Sequence, residues 1–80
     1  MRPIEANSSF FQNLSSADAT VTLTIHNPNG TPMAIVSVPG GPPITTLASG
    51  ETITAAFAVK AGGVLHSALA GAVQFHGIVF

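Results

Sequence analysis

The sequence predicts an all-β chain: a small antiparallel β-sandwich or barrel of about six short strands with an extended N-terminal arm. Two observations carry that expectation. From Thr20 to His26 hydroxyl and aliphatic residues alternate without a break, which is the period of a strand with one buried face. Beyond it, clusters of Gly and Pro cut the chain into strand-sized pieces. A helix over Val64 to Val73, where Ala and Leu are frequent, competes weakly, because Gly62, Gly63 and Gly71 leave too few residues between them.

Residues 1–19 read as the arm and residues 20–80 as the β domain. The arm is rich in turn formers, from Pro3 and Asn7 to Ser16 and Asp18, and shows no sustained period. It carries Phe10 and Phe11, with Leu14 close behind. Adjacent rings on an extended backbone point to opposite sides, so at least one is expected to be exposed unless the arm folds over its own core or docks on a neighbouring subunit.

Val21, Leu23 and Ile25 are the expected core face of the first domain strand. Asn27-Pro28-Asn29-Gly30 follows, and its Asn-Gly pair predicts a tight turn and a β-hairpin returning through Met33 to Val38. Pro39-Gly40-Gly41-Pro42-Pro43 stops that return. Ile44 to Leu47 is expected as a short edge strand, Ala48 to Glu51 as a turn, and Thr52 to Lys60 as a strand with Ile53, Ala55, Phe57 and Val59 on one side. After Ala61-Gly62-Gly63 come strands over Val64–Leu69 and Ala72–Phe80. The last of these ends on Ile78-Val79-Phe80 with no polar tail, so it must be tied into a sheet of this chain or of another.

Composition narrows the function. Charged residues make up 6% of the 80-residue chain, against about 25% in ordinary domains. Hydrophobic residues make up 46%, and the mean hydropathy is +0.52. A core this small usually needs a disulfide, a metal or a partner chain, and the chain has no cysteine. A partner is the remaining support. The polar surface is built from uncharged groups that desolvate cheaply, as suits faces covered by neighbours.

The two basic residues, Arg2 and Lys60, cannot neutralise a run of phosphates, so nucleic acid is not expected as a partner. No apolar stretch is long enough for a membrane helix, and no membrane insertion is expected. Residues 1–14 lack the apolar core of a signal peptide, so the chain is expected to be made in the cytoplasm and to end in a virion or other particle. Removal of a signal peptide would make it extracellular instead.

No Gly-x-Ser-x-Gly elbow is present, and Glu5, Asp18 and Glu51 fall in separate loops, so no catalytic residues are expected. His66 and His76 lie on consecutive expected strands. A two-residue connection would leave them on opposite sides of the sheet, and a three-residue one would pair them. A metal site would still need a third ligand such as His26, so no metal and no cofactor are expected. Across a symmetric contact, neutral histidines pack and protonated ones repel, which would make assembly sensitive near about pH 6. The triplets beginning at Asn7, Asn13 and Asn29 match the glycosylation acceptor pattern and read as turn chemistry.

These features point to a non-enzymatic structural subunit of a larger assembly, with a virion head-decoration or cement protein as the specific expectation. Its partners would be copies of itself and a larger shell or filament protein. The expected contact residues are Phe10, Phe11, Leu14, Ile78 and Phe80. A small carbohydrate-binding β-sandwich, or a subunit of an extracellular filament, is the alternative. The absence of Trp and Tyr counts against the carbohydrate reading.

Overall fold

The alternating segments do become strands, and the Gly and Pro clusters do separate them. A computed structural model describes all 80 residues. It contains β1 (Arg2–Ile4), β2 (Ser8–Gln12), β3 (Ala19–His26), β4 (Met33–Val36), β5 (Pro43–Leu47), β6 (Thr52–Val59), β7 (Val64–Ser67) and β8 (Gly71–Val79), and no helix. They form two antiparallel four-stranded sheets, ordered β1-β8-β3-β6 and β2-β7-β4-β5. The pairings are nested: β4 with β5, β3 with β6, β2 with β7, β1 with β8. This is the winding of a jelly roll, a long hairpin folded about residues 37–42 and rolled into a sandwich.

Side-chain alternation fills the space between the sheets. Val21, Leu23 and Ile25 of β3 meet Met33 and Ile35 of β4, Leu47 of β5, Phe57 and Val59 of β6, Leu65 of β7 and Val73 of β8. A fully buried side chain of this size contributes about 1.5–3 kcal/mol through removal from water. Gly71 opens β8 because the backbones are close there: a Cβ would sit 2.7 Å from Met33 Cε and 2.9 Å from the His26 carbonyl oxygen.

Two expectations are corrected. The segment read as an arm supplies two strands, one to each sheet: β1 pairs with β8 and β2 with β7, raising the strand count to eight. Its period was hidden by Pro3 and by a bulge between Ser9 and Phe11. The bulge also breaks the alternation of the two rings, so Phe10 and Phe11 are both half-buried against the core of their own chain.

The second correction is the expected hairpin after Ile25. β3 and β4 belong to different sheets and do not pair, and neither Asn29 nor Gly30 adopts a positive φ. The reason is Asn27, which is fully buried. Its N–H donates to the Glu51 carbonyl at 2.9 Å. Its Nδ2 lies 2.9, 3.2 and 3.0 Å from the carbonyl oxygens of Thr31, Leu47 and Ala48. Its Oδ1 accepts the Asn29 N–H. The chain is thereby held in a crossing between the sheets instead of a tight turn.

Candidate functional site

The registers give the sandwich two unlike ends. Ala19 pairs with Val59 and Thr20 with Val79, so β3 begins where β6 and β8 finish. Val38 and Ile44 join Ala58, Val59 and Val64 around a cleft of about 330 Å³ at this end. Leu14 lies in the loop that leads into β3 and is 86% exposed. Ile78, Val79 and Phe80 are 43%, 70% and 65% exposed. All the exposed large apolar side chains except Met1 therefore gather at one end. The other end carries the Asn27 crossing and the Ala48–Glu51 turn, and its polar groups are paired.

A second, open cleft of about 460 Å³ runs beside β8 and is lined by Arg2, Phe11, Val21, Phe75 and Ile78 among others. Phe11 and Phe75 pack across the sandwich edge with ring centroids 5.8 Å apart. The Arg2 guanidinium sits 4.7 Å over the Phe75 ring, and Arg2 Nη2 reaches the Phe10 carbonyl at 3.4 Å. A cation over a partly exposed ring contributes about 0.5–1 kcal/mol, so this contact mainly fixes where the rings sit.

Of the residues expected at a contact surface, Leu14, Ile78 and Phe80 share the apolar end, while Phe10 and Phe11 pack on their own core. Val38, Ile44 and Val79 belong to the same surface and were missed. For Val38 a signal existed, since it directly precedes Pro39-Gly40 and so stands in the connection just beyond β4.

The histidines separate. His66 is buried on β7 with Nδ1 3.1 Å from Ser9 Oγ. His76 is exposed on β8 with Nε2 2.6 Å from Thr24 Oγ1. β7 and β8 lie in different sheets, so neither expected register applies. On the outer face of the β1-β8-β3-β6 sheet, Thr24 Oγ1 also meets Thr54 Oγ1 at 2.7 Å and His26 Nδ1 meets Thr52 Oγ1 at 2.8 Å. These are side-chain hydrogen bonds between neighbouring strands. No three His, Asp or Glu side chains come together to hold a metal ion.

The carboxylates are placed as loop anchors. Glu51 Oε1 accepts the Ala48 N–H at 2.8 Å, and Asp18 Oδ1 accepts the Ala61 N–H at 3.0 Å. Compared with known proteins, the chain matches no family model, no curated protein and no solved structure.

Proposed function

We propose that the chain is a non-enzymatic structural subunit of a larger protein assembly, with a virion head-decoration or cement protein as its specific form. The observation that carries this is the gathering of Leu14, Val38, Ile44, Ile78, Val79 and Phe80 at one end of the sandwich. Exposed apolar side chains scattered singly are ordinary, whereas a clustered set marks a surface that another molecule covers. The low charge adds to it, because little ordered ionic solvation is lost when such a surface docks. The jelly-roll winding does not choose a function, since that architecture serves many.

The test is native mass by light scattering at two protein concentrations and at about pH 5.5 and about pH 7.5. The chain should form species heavier than its own 8.0 kDa. The double substitution Val79→Ser with Phe80→Ser should reduce the heaviest species while leaving the far-UV circular dichroism unchanged. A lone chain at every concentration would overturn the proposal. Loss of assembly at the lower pH alone would place a histidine in the contact.

A further inference from the structure

We infer that β6 is a self-pairing edge, on which a second copy of this chain adds its own β6 antiparallel to join two sheets into one. The inference rests on the assembly role proposed above and names the partner and the contact.

The backbone shows which groups are free. Pro3 has no N–H, so its pair with Ala72 is of the non-hydrogen-bonded kind, and Arg2–Val73 and Ile4–Gly71 are the bonded pairs. Alternating across the sheet, Ala72 and Gln74 turn their backbone groups to β3, and Val21, Leu23 and Ile25 turn theirs to β6. Phe57, Ala55 and Ile53 answer them. The bond from the Asn27 N–H to the Glu51 carbonyl continues the same alternation. Thr52, Thr54, Ala56 and Ala58 therefore direct their N–H and C=O groups away from β3, and no turn or loop bond uses them.

The remaining edges are blunted. β1 is three residues long and contains Pro3. β2 is bulged between Ser9 and Phe11. β5 starts with Pro43, and its ladder is irregular at Val36. The part of β8 that runs past β1 is irregular opposite Thr22 and Leu23. Proteins use such devices to stop edges from pairing. β6 has none of them: its eight residues pair with β3 without a register shift and include no Pro, Gly or charge. Its outward side chains are Thr52, Thr54, Ala56 and Ala58, which are small enough to let another strand approach.

Charge chooses the partner and its direction. Glu51 and Lys60 flank β6. Antiparallel addition of a second copy brings the Glu51 end of each β6 to the Lys60 end of the other, whereas parallel addition would bring like-charged ends together. With the twofold axis at Ala55, Thr52 of one copy faces Ala58 of the other and Thr54 faces Ala56. In that register each of the four residues exchanges both of its free backbone groups. Ile53 then lies opposite Phe57 on the core-facing side.

The chain is free of cysteine, so single thiols report the register. Ala55→Cys should give a covalent dimer in oxidising buffer, because the paired Cα atoms would be about 4.5 Å apart. Ala58→Cys alone should not, because its copies would lie about 20 Å apart. Mixing Thr52→Cys with Ala58→Cys should restore the cross-link. Ala56→Pro removes an N–H that only the second copy would use, and should weaken dimerisation at least about tenfold with the circular dichroism unchanged. Cross-linking of Ala58→Cys as readily as Ala55→Cys, or an Ala56→Pro dimer of unchanged affinity, would overturn the inference. Heavy assemblies that survive Ala56→Pro would leave the assembly role standing without this contact. A β6-linked dimer that the Val79 and Phe80 substitutions do not affect would leave this contact standing without a part for the apolar end.

Discussion

The two ends of β3 are held by the same device and serve opposite purposes. Asn13 precedes β3 and Asn27 follows it, and both are buried. Each presents Nδ2 to a carbonyl four residues on and to two carbonyls from a distant strand end, while Oδ1 accepts the N–H two residues on. Around Asn27 the ties spread. Asn29 Nδ2 reaches the Ala70 carbonyl at 2.8 Å, and Ser49 Oγ donates to the Asn29 carbonyl at 2.8 Å. That end binds the β5–β6 turn, the β7–β8 connection and the crossing loop together. Around Asn13 the ties run to the single segment from Val59 to Gly63. Equal local chemistry thus gives a closed end, where many segments converge, and an open end, whose apolar side chains are left exposed.

Breaking the closed end should cost most. Asn27→Ala strips the partners from three carbonyls, one of them fully buried, and frees Asn29. A loss on the order of 3 kcal/mol in chemical denaturation is expected, a large part of the stability of so small a domain. Asn13→Ala should cost about 2 kcal/mol, because its ties beyond its own loop are confined to one segment. Two residues beyond each buried Asn the effects shrink further. Asn29→Ala should cost about 1 kcal/mol and Ser15→Ala about half that, since Ser15 Oγ binds only within its own loop. Thermal melts read the same order, with each kcal/mol worth about 4–8 °C. Equal losses for Asn27→Ala and Asn13→Ala would erase the distinction between the ends.

Much of the fold was legible because period two survives wherever a strand is long. β3, β6 and β8 could be read from Thr20-to-His26, Thr52-to-Val59 and the apolar C-terminal run, and β5 was rightly placed at an edge. β1 and β2 could not be read, since Pro3 and the bulge at Phe10 interrupt strands only a few residues long. The Asn29-Gly30 signal misled for a different reason. Its local preference for a tight turn was outweighed by carbonyls some twenty residues away, at Leu47 and Ala48, converging on Asn27. Of the apolar surface, Ile78 and Phe80 were visible from the apolar run Ile78-Val79-Phe80 and Leu14 from its neighbours. Val38 and Ile44 join it only through the stacking of the sheets. The free edge of β6 is a property of strand order, which the local pattern of Thr52–Val59 does not contain.

The nested pairing also governs how the molecule comes into being. β4 and β5 are joined by the short segment 37–42, but each further pair encloses the one before it, and the outermost joins Arg2–Ile4 to Gly71–Val73. Contacts that span nearly the whole chain form slowly, because loop entropy is lost before they repay it. On the ribosome, β1 and β2 emerge before their partners β8 and β7, so both sheets are complete only once β8 has left the tunnel. For that interval the aliphatic face of β3 lacks the cover of Leu65 and Val73, and a chain with so little charge depends on prompt closure, or on a chaperone, to reach its sandwich before it meets another unfinished copy.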